Sequence, residues 1–278
     1  MLYTYSQLKA LLEIRPTLQL MIFEKYCRSM LHNTRVLEWS CKLVDGTLEG
    51  ARFLHTSLHR DFKMARQAVD GLYENLIDSG FLPSSQGEFF MSLAPLAEKL
   101  AGGVALGYAE RKYEDPTYTE LKFYVSTDQV KIIEPIIEKL IPPEAIPPRS
   151  TTRLMVAASI DGRKRSRSRV YYLWNREHFK RDDVSRWMSR WLSPEEIELT
   201  RACNSETVSL AFKDCMRDML YLSVPFEMPK LQRWIASSTK DYHIPYSQLG
   251  NLRWVGLSKS GEALKSKEMN LYYNCVFV

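Results

Sequence analysis

Five times along this chain, two stretches with a hydrophobic period of two follow one another across a turn. That alternation suits β-strands with one apolar and one polar face, because successive strand side chains point to opposite sides. The first pair is VLEWSCKLVDGTLEGARFLHTS, residues 36–57. Leu37, Trp39, Cys41 and Leu43 share one side; Glu38, Ser40 and Lys42 share the other. Asp45-Gly46 supplies the turn, since Gly tolerates the positive φ of a tight hairpin. On the return strand Phe53 joins the apolar side and Arg52 the polar one. The remaining pairs are Val104–Arg111 with Thr119–Ser126, Arg153–Asp161 with Arg167–Trp174, Thr207–Asp214 with Asp218–Val224, and Leu252–Ser258 with Met269–Val278.

Helical periodicity fills the intervals. It runs over 5–31 with a break at Pro16, then over Phe62–Ser79, Glu88–Leu100, Asp128–Ile141, Glu177–Trp191, Pro194–Ala202 (with Ser193 as N-cap ahead of Glu196) and Lys230–Thr239. PPEAIPP (142–148) is a stiff connector, since proline continues neither helix nor central strand, and the repetition passes through it unbroken. The expected architecture is α+β: one domain over 1–278, about ten antiparallel strands in five ββαα-like repeats. An open sheet of that size twists strongly and leaves two edges to protect. A closed barrel with the helices outside removes both edges and leaves a lumen too wide for side chains to fill.

Assigning each apolar strand face to the helices leaves the lumen. Arg52, Lys122, Arg169 and Lys213 fall there, interleaved with Tyr124, Tyr171, Tyr221 and Tyr272, together with Met219 and one carboxylate, Glu38. At TVSLAFKD the frame stays open between Ala211 and Phe212. Phe212 facing in would favour a short five-carbon chain, whereas Ala211 facing in would leave room for ten carbons. Convergent cations bind a polyanion such as diphosphate. Tyrosine π-faces stabilise a carbocation, and a carboxylate takes up a proton. Together these are what ionising an allylic diphosphate beside an acceptor requires.

Composition removes several alternatives. A net charge of +5 suits an anionic ligand or plain solubility. The five cysteines are scattered without a CxxC pair, which argues against a disulfide framework or zinc site and for a reducing compartment, the cytoplasm. Lys9, Glu13 and Arg15 interrupt the N-terminal apolar stretch, so no membrane span or signal peptide is expected there. His55, His59, His178 and His243 have no metal-ligand spacing. Asp182-Asp183 is followed by VSRW, which lacks the second acidic group of a DDxxD motif. RKRSRSR (163–169) is the rival signal, a basic run that a nucleic-acid-binding module would use. Its place at a hairpin tip makes it a solvated turn with only Arg169 facing in, and no nucleic-acid partner is expected.

LEWSCK with GARFL, then ELKFYV, RVYYLW, RWVGLSK and the closing LYYNCVF occur in order from about residue 36 to the C-terminus. In these stretches the chain resembles the ABBA-barrel aromatic prenyltransferases, and within them the cyanobactin peptide prenyltransferases. The resemblance implies transfer of a dimethylallyl or geranyl group from its diphosphate to a side chain of a ribosomally made cyclic peptide by a monomeric enzyme. It implies that Glu38 faces the acceptor, that Arg52 and Lys122 hold diphosphate, and that Tyr124, Tyr171 and Tyr272 form an aromatic shield. Ala211, Phe212, Met219 and Trp254 then fall around the prenyl chain and acceptor. Mg²⁺ would accompany the diphosphate without a protein cage, as is usual for this ion on phosphates.

Overall fold

The computed structural model describes residues 18–29, 34–57, 71, 74–75, 78, 104–111, 120–127, 135, 137–148, 153–161, 166–202, 207–213, 216–223, 251–258 and 268–275. Ten strands make up its sheet: β1 (Thr34–Val44), β2 (Thr47–Ser57), β3 (Val104–Arg111), β4 (Glu120–Thr127), β5 (Arg153–Asp161), β6 (Ser166–Asn175), β7 (Thr207–Lys213), β8 (Met216–Ser223), β9 (Asn251–Ser258) and β10 (Glu268–Cys275). Each pairs antiparallel with its sequence neighbours, and β1 pairs with β10, so the sheet closes into a barrel. The expected ten-stranded closed form is what the chain adopts. At the first hairpin Asp45 (φ 48°) and Gly46 (φ 78°) both take positive φ, the backbone of a two-residue turn whose twist matches its strands.

Helix α1 spans Leu18–Ser29, within the helical stretch expected over 5–31; the break expected at Pro16 lies outside the described residues. The helix packs outside the barrel, where Phe23 stacks on Tyr108 of β3 with centroids 5.3 Å apart. Between β6 and β7 lie α2 (Arg176–Phe179), α3 (Asp182–Met188) and α4 (Pro194–Ala202). A single helix over Glu177–Trp191 is therefore a correction: Arg181 goes extended (φ −68°, ψ 139°), and Asp182 and Asp183 open a new first turn, where acidic side chains suit the helix dipole. Ser193 caps α4 as the sequence indicates. Its Oγ accepts from Glu196 N–H at 3.2 Å, and its own N–H donates to Glu196 Oε2 at 2.8 Å, a capping box. Described residues of the helical stretch 62–79 are helical, as are those of 128–141 up to residue 140, where Ile141 forms a bend, whereas those expected at 88–100 and 230–239 lie outside the described residues.

The outer strand faces carry the core. Trp39, Phe53, Phe123, Tyr172, Trp174, Leu220, Val255 and Leu271 are all essentially without solvent contact. Trp187 of α3 and Trp191 beyond it converge on this layer. Trp187 lies 5.3 Å from Trp174, and Phe212 lies 5.0 Å from Trp191 and 5.8 Å from Trp187. Trp187 Nε1 also donates to the carbonyl of Glu144 at 3.1 Å, which binds the proline-rich connector to the helix layer. Among the described residues no helix is long and apolar enough to cross a membrane.

Candidate active site

Tyr124, Tyr171, Tyr221 and Tyr272 come from β4, β6, β8 and β10, every second strand. On the strands between, Tyr124 pairs with Ala157, Tyr171 with Ala211 and Met155, Tyr221 with Ser209 and Gly256, and Tyr272 with Trp254. Ala157, Ala211, Ser209 and Gly256 leave room for the rings to lean together into a continuous belt. Centroids are 6.0 Å apart for Tyr124–Tyr171, 6.0 Å for Tyr171–Tyr221 and 5.7 Å for Tyr221–Tyr272. At Gly256 the spacing is obligatory, since a Cβ there would lie 2.9 Å from Tyr221 Cε1 and 3.0 Å from Met219 Cε. Gly256→Ala is therefore expected to tilt Tyr221 or Met219. With misplacement by an ångström costing up to about a hundredfold in rate, any chemistry that depends on this belt should slow while the melting temperature moves little. Turnover, measured beside thermal unfolding, checks this.

The belt divides the lumen into two connected chambers that share Glu38 and all four tyrosines. The basic chamber, about 390 Å³ of open space, is lined in addition by Ser40, Arg52, Lys122 and Arg169. The apolar chamber, about 600 Å³, adds Met155, Leu173, Ser209 and Trp254. Glu38 stands at their junction.

Electrostatics differ sharply along this path. Burial pushes the Glu38 carboxyl up to about 8. Burial likewise raises the four tyrosine phenols, so they are neutral hydroxyls with intact π-faces. In the basic chamber Lys122 Nζ lies 2.9 Å from Glu120 Oε2. Arg169 Nε lies 2.8 Å from Asp218 Oδ2, Lys42 Nζ 3.0 Å from Glu268 Oε2, and Arg52 Nη2 4.0 Å from Glu268 Oε1. Burial lowers Lys122 to about 7; Glu120 opposes that shift, and Arg169 and Arg52 add to it. Glu120 is buried too, yet Lys122, Arg169, a hydrogen bond from Ser159 and Arg52 keep it ionised, well below the usual carboxylate range.

The structure thus brings together Glu38, Arg52, Lys122, Arg169 and the four tyrosines, as the strand frames indicate. Trp254 lines the apolar chamber, and Ala211 and Met219 pack with Ala157 and Tyr171 beneath it. Two expectations need correction. Phe212 turns outward into the Trp187–Trp191 cluster, because Ala211 takes the inward position opposite Met219. Lys213 ends β7 opposite Met216 and lines neither chamber. Sequence reasoning missed the three carboxylates. Glu120 shares the parity of Lys122 and Tyr124, and Glu268 that of Asn270 and Tyr272, so alternation extended to the strand starts would have found both; Asp218 sits in a bulge where alternation fails. Asp182 and Asp183 begin α3 on the outside, with Asp183 3.2 Å from Arg181. Of the basic run, Arg169 is in the lumen, and 163–165 lie outside the described residues.

The sequence matches no protein-family model and no curated protein. Solved structures do resemble the barrel. A protein described as 6-dimethylallyl tryptophan synthase superposes with a TM-score of 0.60 at 12% identity, covering 98% of this chain and 96% of that one. The fold is the ABBA prenyltransferase barrel. A crystal structure of 6-dimethylallyltryptophan synthase from Micromonospora olivasterospora, in complex with DMASPP and Trp, matches at 0.54 and 13% identity over 85% of this chain and 81% of that one. NotF in complex with brevianamide F and DMSPP matches at 0.57 and 11% identity over 98% and 92%. In this ABBA barrel the basic chamber, tyrosine belt and apolar chamber follow one another along one lumen.

Proposed function

We propose that this protein is a prenyltransferase that moves a dimethylallyl group from its diphosphate to an electron-rich side chain of a ribosomally made cyclic peptide. The observation that carries this reading is the juxtaposition of Arg52, Lys122 and Arg169 with a belt of four neutral tyrosines and Glu38 in one lumen. The diphosphate binds to the three cations, with the prenyl chain against the belt. The allylic C–O bond breaks and its electron pair leaves on the diphosphate, whose added negative charge the same cations stabilise. Tyr124, Tyr171, Tyr221 and Tyr272 present π-faces to the allylic cation. The acceptor enters through the apolar chamber against Trp254 and Leu173, bonds to the cationic carbon and gives up a proton to Glu38.

Mg²⁺ belongs to this reading as a companion of the diphosphate, and none of these steps runs through it. The donor set favours that role, because Glu120, Asp218 and Glu268 are each within 3.0 Å of a lysine or arginine. Dimethylallyl stands ahead of geranyl as donor, since Met219 closes over Ala157 and Ala211 and occupies the room that an inward Ala211 leaves. The solved neighbours crystallised with DMASPP or DMSPP support a prenyl diphosphate donor, and those crystallised with Trp or brevianamide F support an electron-rich acceptor. The cyclic peptide rests on the sequence resemblance. Nucleic acid is not favoured, as Arg169 is committed to the lumen beside Asp218.

Mass spectrometry tests the proposal. Purified protein is incubated with dimethylallyl or geranyl diphosphate, Mg²⁺ and cyclic peptides that each display one of Tyr, Trp, His or Arg. The expected result is a gain of one prenyl unit on one peptide class. Intact donor and unmodified peptides throughout, with protein that binds diphosphate, would remove the peptide as acceptor.

A further inference from the structure

The ladder between β7 and β8 slips by one residue at a place that decides the charge of the basic chamber. Ala211 pairs with Met219 and Phe212 with Arg217, so Asp218 is the extra residue of a β-bulge. Met219 and Tyr221 face the lumen. Strict alternation from them would send Asp218 outward and bring Arg217 inward. The bulge reverses both. Asp218 reaches Arg169 Nε at 2.8 Å, while Arg217, only 3% exposed, enters the helix layer.

There Arg217 Nη2 lies 2.7 Å from Glu196 Oε1. Among the described residues its Nε and Nη1 have no hydrogen-bond partner, so Glu196 is the counter-ion that makes this buried placement tolerable. Glu196 is itself held by the Ser193 capping box, and its carbonyl accepts from Thr200 Oγ1 at 2.7 Å. The outward end of the bulge is thereby fixed to α4, and its inward end to Arg169.

We infer that Glu196 and Arg217 are positioning residues for the donor site: their ion pair holds the β8 bulge in the register that puts Asp218, rather than Arg217, into the basic chamber. This rests on the reading of that chamber as a diphosphate site. In the observed register Lys42, Arg52, Lys122 and Arg169 are balanced against Glu120, Asp218 and Glu268. Moving the bulge by one residue removes one negative charge and adds one positive charge, a change of two units beside the departing diphosphate. The observed register therefore limits how tightly the chamber grips diphosphate, and so lets it leave after transfer.

Calorimetric titration with inorganic diphosphate tests this on the wild-type protein and on D218N, E196Q, E196D and E196Q/D218N, with thermal unfolding of each. D218N frees Arg169 of its counter-ion and should tighten diphosphate about tenfold, the scale of one charge-assisted contact. E196Q should tighten it in the same direction and at least as far, since it also lets Arg217 turn inward, and the double variant should bind no tighter than E196Q, because residue 218 no longer faces the chamber once the register has slipped. E196D, which keeps the charge but draws the carboxylate back, should show a smaller shift of the same sign even where E196Q is too unstable to titrate. Lower melting temperatures with diphosphate affinity unchanged would reduce the pair to a structural role and overturn the inference. Wild-type protein that fails to bind diphosphate would instead overturn the reading of the chamber itself.

Discussion

Glu38→Gln is expected to lower turnover by about 10²–10⁴-fold, the usual contribution of a positioned proton acceptor, while making the protein more stable in mild alkali. Both effects come from one cause. Burial pushes this carboxyl up to about 8, so it stays protonated in the folded barrel over a range where the unfolded chain has lost the proton. The folded state then binds more protons than the unfolded state between the ordinary glutamic acid value and about 8. Stability therefore falls as pH rises through that window. Glutamine keeps the shape and carries no titrating proton, so the variant escapes that fall. Its melting temperature should equal the wild type's near pH 4 and exceed it by several degrees at pH 8, at about 2–4 °C per kcal/mol for a chain of this size. Thermal unfolding at the two pH values, beside single-turnover transfer, is the measurement. Equal melting temperatures at pH 8 would mean that Glu38 is solvated and ordinary. An unchanged rate would give the proton to another acceptor.

A raised carboxyl between two chambers is the kind of local disadvantage that sites retain for chemistry. Arg52, Lys122 and Arg169 are of the same kind: like charges gathered in a lumen are tolerable only because Glu120, Asp218 and Glu268 are gathered with them. The carboxylates set how much positive charge remains for a ligand. The tyrosine belt then separates that charge from the apolar chamber, where an allylic cation would otherwise meet water.

Most of this was legible from one physical regularity. Wherever a strand has a strict period of two, as in LEWSCK, ELKFYV, RVYYLW and LYYN, the inward residues follow from the outward ones, and Glu38, Lys122, Tyr124, Arg169, Tyr171 and Tyr272 are placed correctly. Closure followed from the number of strands. Reading failed where the regularity fails. Thr207–Lys213 is almost wholly buried on both faces, so hydrophobicity does not say which way Phe212 points; the packing of Trp187 and Trp191 decides it. In β8 one extra residue exchanges the destinations of Arg217 and Asp218, and no propensity marks the place. Glu120 and Glu268 keep the inward parity of their strands, but at a strand start a carboxylate looks like an ordinary solvated end; Lys122, two residues on, and Lys42, across the closing β1–β10 pair, hold them instead. Broken helicity at Arg181 follows from a new acidic first turn, a signal present in the sequence but weaker than the apolar periodicity running through it.

The second large effect is expected from Lys122, whose ammonium falls to about 7 through burial and the neighbouring Arg169 and Arg52, against the pull of Glu120. In the proposed reaction, diphosphate binding would favour its charged form, whereas proton transfer would need Glu38 ionised, with a value of about 8. The group that must be protonated is thus the stronger acid, and the group that must be ionised is the weaker one. Only a minor fraction of the free protein then holds both in the required states at any pH, and kcat/KM should be bell-shaped between the two values. Lys122→Met separates the two limbs. Glu120 keeps Arg169 and Arg52 as counter-ions, so the barrel should still fold. The donor KM should rise about 10–100-fold, the cost of one charge-assisted phosphate contact. The alkaline fall should vanish, and the remaining rise should have its midpoint near 8 rather than near 7, because Glu38 alone then governs it. A midpoint that stays near 7 in the variant would assign the acidic limb to another group and take the proton-accepting role from Glu38. A wild-type kcat/KM profile flat from pH 6 to 9 would mean that neither a charged Lys122 nor an ionised Glu38 is required, and would take both roles away.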